Sequence, residues 1–173
     1  SGLILMFERP IQPGDVVEIG GVSGKVREIG MRATTLSTFE GADVVVPNGM
    51  LLNDKLVNWT LSDMDRRIDV NVGVAYGTDP ARVLQLLMEV TRSTDGIANE
   101  PEPTILFAGF GANSLDFSIR SWTNNFNDWV KIRSELTVRV HDALKDAGIV
   151  IPFPQQDLHL RSVSPGAGAA LAG

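Results

Sequence analysis

Cysteine is absent from the 173 residues, which excludes disulfides, thiolate metal ligands and thiol nucleophiles together. Histidine is almost as scarce: His141, beside Asp142, and His159 fall short of the ligand spacing that a zinc site needs. No serine stands in a G-x-S-x-G elbow, and no nucleophile, base and oxyanion group can be assembled from the motifs present. The chain therefore does not read as an enzyme, and nothing in it asks for a cofactor. Positive charge is also short. Fifteen Lys and Arg against 21 Asp and Glu leave a formal net charge of -6, which would repel a phosphate backbone, so no nucleic-acid partner is expected. Long apolar runs are missing as well. The N-terminal run is residues 3–7 (LILMF), closed by Glu8-Arg9-Pro10. As helix it spans roughly 7–8 Å, against the ~30 Å of a bilayer core. It lacks the basic leader and small-residue cleavage site of a signal peptide, and reads either as a disordered terminus or as the stump of a longer apolar helix.

What is present is ordinary for a folded domain: 43% apolar and 21% charged residues, enough to bury a core. Residues 11–60 are strand-like. Short β-branched runs at 15–19 (DVVEI), 24–29 (GKVREI), 33–39 (ATTLSTF), 43–46 (DVVV) and 56–60 (LVNWT) are separated by glycine-marked turns, which predicts a small, strongly bent five-stranded barrel. In the second run Val26 and Ile29 are the expected inward positions. The stretch 44–52 (VVVPNGMLL) is anomalous. Asn48-Gly49 signals a hairpin, yet Pro47 has no amide donor for a ladder and Met50-Leu51-Leu52 does not alternate as a returning strand does.

From residue 68 the pattern changes. Ile68, Val70, Val72 and Val74 alternate with Asp69, Asn71 and Gly73, as in a half-buried strand. Thr78-Asp79-Pro80 then opens a helix with stripe Val83, Leu84, Leu87, Met88 and Thr91, closed near Asp95-Gly96. Strands at 104–110 and 114–122 form a hairpin through Gly111-Ala112-Asn113. A second helix over 127–147 carries Trp129, Ile132, Leu136, Val140, Ala143 and Ala147, and Gly148 is placed to terminate it. A last strand is expected at 149–151. Strand, helix, strand, strand, helix, strand is the split βαβ order of a ferredoxin-like domain. The six residues 109–114 (GFGANS) fail the dinucleotide fingerprint at the last position and lead into a strand rather than a helix. Asp63, Asp65 and Asp69 are interleaved with Arg66 and Arg67, which reads as a salt-bridged linker rather than a calcium loop. Beyond the Pro152-Phe153-Pro154 break, residues 157–163 (DLHLRSV) alternate with nothing local to pair with, and another copy of the same strand is the expected partner.

Arg9-Pro10, Pro13-Gly14-Asp15, residues 17–24 (VEIGGVSG), Ala33-Thr34-Thr35, residues 45–49 (VVPNG), Val74-Ala75-Tyr76, Trp122, Ala147-Gly148-Ile149 and residues 152–156 (PFPQQ) with Asp157 follow one another in an order that resembles the small-conductance mechanosensitive channel family. The resemblance implies an α+β chain: an Sm-like five-stranded β barrel, then a ferredoxin-like αβ domain and a C-terminal oligomerisation strand. By residue this is 1–9 for the end of a pore-lining helix, 10–61, 62–154, 155–163 for the terminal barrel strand, and 164–173 for a disordered tail. It implies a homoheptamer enclosing a vestibule on the cytoplasmic side of the inner membrane, attached through upstream transmembrane helices, passing ions and small osmolytes during hypo-osmotic shock. Gly2, Leu3, Leu5 and Met6 would end the pore helix. The turn after Pro47 would be helical, with Met50, Leu51 and Leu52 plugging the barrel core or facing a neighbour. Leu158 and Leu160 would lie in the terminal interface, and Asp157, His159 and Arg161 at the axial opening, where a histidine ring would make passage pH-sensitive. Two other readings stand beside this one. An Sm-like RNA-binding ring is opposed by the acidic balance, and a small-ligand sensor rests on analogy of fold alone.

Overall fold

The computed structural model describes residues 8, 10–60, 66–162, 164 and 166. Gly2, Leu3, Leu5 and Met6, the expected end of the pore helix, lie outside the described residues.

The first half contains β1 (Val16–Ile19), β2 (Val22–Ile29), β3 (Ala33–Thr38), β4 (Asp43–Pro47), α1 (Asn48–Asn53) and β5 (Leu56–Asn58). They form one sheet in the order β4-β3-β2-β1-β5, with every neighbouring pair antiparallel. Gly20 and Gly21, at φ 56° and 79°, make the two-residue turn between Ile19 and Val22, a geometry that demands positive φ at both central positions. A bulge between Val26 and Glu28 bends β2, and bulges of this kind let so short a sheet curl. Val17, Ile19, Val26, Leu36 and Val46 then converge with Ile11 and Leu51 in one apolar cluster, against which Ile29 packs half-buried. The Sm-like arrangement is thus present. Among the described residues β4 and β5 are the two sheet edges, connected through α1.

Gly24 is fixed by close approach rather than by dihedral angle. A Cβ there would lie 2.7 Å from the Ser37 carbonyl oxygen on the neighbouring strand. Gly24→Ala is expected to cost about 1–3 kcal/mol through forced backbone displacement, read as a lower denaturant midpoint. An unchanged midpoint would show that β2 and β3 separate without penalty.

The second half contains β6 (Arg66–Val74), α2 (Pro80–Arg92), β7 (Thr104–Phe110), β8 (Leu115–Thr123) and α3 (Trp129–Asp146), the last preceded by a 3-10 turn at Phe126–Asp128. The sheet order is β6-β8-β7. Asp79 caps α2 by accepting from the Ala81 N–H at 3.1 Å, with Pro80 at the first helical position, where a missing N–H costs nothing. Ile68, Val70 and Val74 meet Leu115, Phe117 and Ile119 on the sheet face, and Val83 and Leu87 of α2 and Ile132, Leu136, Val140 and Leu144 of α3 cover it. This core is distinct from the first.

Two expectations require correction. The buried stripe of α3 is Ile132, Leu136, Val140 and Leu144, so Leu144 replaces Ala143, and Trp129 turns away to the rings described below. Positions 143 and 144 both continue the face, at i+3 and i+4 from Val140, and the larger apolar side chain is the one buried. The strand expected at 149–151 forms no ladder. Its edge contact is one hydrogen bond, Ala75 N–H to the Val150 carbonyl at 2.8 Å, because Pro152 two residues on has no donor to extend the pairing. Gly148, at φ 69°, ends α3 as expected.

Candidate functional site

The anomaly at 44–52 resolves into a helix start. Pro47, at φ -56° and ψ 134°, remains in the extended region while Asn48 enters α1. Asn48 is buried without exposure, and its whole side chain is used. Its Oδ1 accepts from the Thr34 hydroxyl at 2.8 Å, its Nδ2 donates to the Gly30 carbonyl at 2.8 Å, and its backbone N–H donates to the Arg32 carbonyl at 2.8 Å. The start of α1 is thereby tied to β3 and to the β2–β3 turn. The triplet that follows divides. Leu51 is 4% exposed and belongs to the core, whereas Met50 and Leu52 are 45% and 38% exposed. Leu51 is therefore removed from the expected interface set, since one helical turn cannot point three successive side chains the same way.

At the opposite end of the chain, Ile149 is buried and its N–H reaches the Leu144 carbonyl at 2.9 Å. The chain is then held by the Val150 bond and by Gln155 N–H donating to Asn113 Oδ1 at 2.8 Å. Tyr76 donates its hydroxyl to the Gly111 carbonyl beside that clip. From residue 156 to 162 the chain pairs with no strand. Leu158 and Leu160 are 80% and 69% exposed. Asp157, His159 and Arg161 are exposed too, so none of these expected residues joins either apolar core. His141, on α3, is exposed and 3.0 Å from the Asp142 carboxylate, the solvated pair its surroundings imply. Asp63 and Asp65 of the expected linker pairing lie outside the described residues; Asp69 pairs with Arg67 at 2.9 Å within β6.

A further cluster was not foreseen. The Arg66 guanidinium lies 3.8 Å from the ring centroid of Trp129, 5.0 Å from Trp59 and 5.2 Å from Phe126. Burial among these rings pushes its pKa below the ordinary value, although an arginine stays protonated at any working pH. Two cavities share Trp59 and Arg66 as a wall. One, of about 400 Å³, extends over Val16, Glu18 and Phe39 to Phe126, Trp129 and Val130. The other, of about 380 Å³, is bounded by Arg67, Asp69 and Trp122, and Asp69 Oδ1 is buried there with no partner among the described residues. The one available sequence signal is that all three tryptophans line these two cavities.

Among the described residues no helix is long and apolar enough to cross a membrane. Two family models match in tandem: the mechanosensitive ion channel β-domain over residues 1–61 and the C-terminal part of the mechanosensitive ion channel MscS over 68–151. A small-conductance mechanosensitive channel of Edwardsiella ictaluri is 39% identical over 92% of the chain, and the mechanosensitive channel MscK of Escherichia coli is 36% identical over 94%. The chain spans 55% of the first of these relatives and 14% of the second. The crystal structure of Helicobacter pylori MscS in its closed state superposes with a TM-score of 0.84 at 32% identity, covering 94% of this chain and 64% of that one.

Proposed function

Since the chain belongs to the MscS family of mechanosensitive ion channels, a family of channels and not of enzymes, we propose that it forms the cytoplasmic vestibule of a tension-gated channel that releases ions and small osmolytes under hypo-osmotic shock. Its membrane-spanning part would lie in the remainder of a longer protein. Stretch would act on that part, favouring whichever state occupies more membrane area, and would shift the equilibrium only by the difference between the two states. The present residues would filter what reaches the pore. A formal charge of -6 on each copy, repeated around a symmetry axis, would favour cations at the walls.

The division we propose is an Sm-like domain over 10–61, a ferredoxin-like domain over 62–154 and a terminal strand over 155–163. Gly2, Leu3, Leu5 and Met6 would close the pore helix. Met50, Leu52, Leu158 and Leu160 would face neighbouring copies, with Asp157, His159 and Arg161 at the axial opening. One observation carries the assembly reading. Past Gln155 an alternating segment with two largely exposed leucines has no ladder partner among the described residues, and strand addition from an identical copy would supply one. The test is the mass of the full-length protein in detergent, with patch recordings of the same preparation. A heptamer with stretch-activated current is expected. A monomer, or a pressure-insensitive membrane, would refute the proposal.

A further inference from the structure

The cavity over Arg66 combines three features of a ligand site. It lies where the two folded halves meet, it is lined by Val16, Phe39, Trp59, Phe126, Trp129 and Val130, and it holds the partly buried guanidinium of Arg66. Arg66 is in no ion pair and donates no side-chain hydrogen bond among the described residues. A guanidinium stacked on aromatic faces keeps its N–H donors in its own plane, directed away from those faces. Such an edge matches a carboxylate in bidentate fashion. The rings offer the apolar surface that a small ligand buries.

We propose that this cavity binds a small monoanion with an apolar tail, its carboxylate on Arg66 and its tail against Phe39, Trp59 and Trp129. The neighbouring cavity suits the same ligand less well, because Trp59 and Trp122 alone supply its apolar lining, too little to cover the tail. Glu18, in the lining of the Arg66 cavity, limits the ligand to one negative charge. A cation is disfavoured because the ring faces that would attract it already hold Arg66.

The test uses hexanoate, with hexanamide and hexylammonium as neutral and cationic controls, titrated into the full-length protein while tryptophan emission is recorded. Trp59 and Trp129 border the cavity, so occupancy moves the signal. Hexanoate is expected to give a saturable shift at concentrations at least tenfold below either control, and Arg66→Gln is expected to weaken it by at least tenfold. Because loss of Arg66 also loosens the ring cluster, Val130→Trp provides a second variant. Val130 is an exposed helix position on the cavity rim, and the larger side chain should block entry while Arg66 stays in place. Equal responses to the three probes, preference for hexylammonium, or undiminished hexanoate binding in Val130→Trp would each overturn the proposal. So would a response confined to the isolated chain and absent from the assembled protein, which would assign the cavity to a neighbouring copy.

Discussion

Changing Leu158 and Leu160 together to aspartate is expected to convert the assembled protein into single chains. Each leucine is mostly exposed in one chain, so its burial against other copies is apolar area removed from water, worth about 1.5–3 kcal/mol per side chain. Two per copy give roughly 3–6 kcal/mol, which corresponds to about 10²–10⁴ in the affinity of each contact. Two added carboxylates, repeated by each neighbour around one axis, raise the loss further through like-charge repulsion. The fold within the chain should be indifferent. Both residues follow the Gln155–Asn113 clip, and exposed substitutions stay within about 0.5 kcal/mol. Light scattering of the full-length protein should therefore report a fall from the assembled mass toward that of one copy, with unchanged thermal unfolding of the isolated chain. Retention of the assembled mass would place the interface elsewhere.

Asn48→Ala is expected to be the most damaging single change in the first half. It removes the Asn48 partner of the buried Thr34 hydroxyl and of the part-buried Gly30 carbonyl. The buried hydroxyl costs about 1–3 kcal/mol and the part-buried carbonyl less, so a loss of roughly 2–4 kcal/mol is expected. For so small a unit that corresponds to a fall in Tm on the order of 10–30 °C. Gly49→Ala is the informative control. Gly49 has open space where a Cβ would stand and is absent from the positive-φ glycines, so alanine should be neutral or slightly stabilising in α1. If Gly49→Ala proved the worse of the two, the segment would be acting as a turn that needs glycine, and the role given to Asn48 would fail.

That pair of residues also marks the limit of sequence reading. Asn-Gly looks the same whether asparagine is chosen for a left-handed turn or for a buried amide. Only Thr34 and Gly30, 14 and 18 residues away, decide the matter. The strands of the first half were legible to within about two residues because β-branched runs and glycine turns are local signals. The same holds for α2, whose Thr78-Asp79-Pro80 start is a local cap. Leu144 was missed because Ala143 and Leu144, at i+3 and i+4 from Val140, both fit the face and periodicity alone does not choose between them. The strand at 149–151 was over-read because apolarity alone does not supply an edge partner. The Arg66 cluster was invisible. Its rings come from positions 59, 126 and 129, and nothing local announces that they will meet.

The way the chain leaves the second half has a mechanical consequence. Between buried Ile149 and the free segment, the tethers are one backbone bond at Val150 and the Gln155–Asn113 clip. A load pulling on the terminal residues would break these in sequence, like a zipper opened from its end, before any strand of the β6-β8-β7 sheet came under shear. Strain transmitted from the proposed terminal assembly would thus be absorbed by a short peelable tether, and the packed helices α2 and α3 would keep their shape.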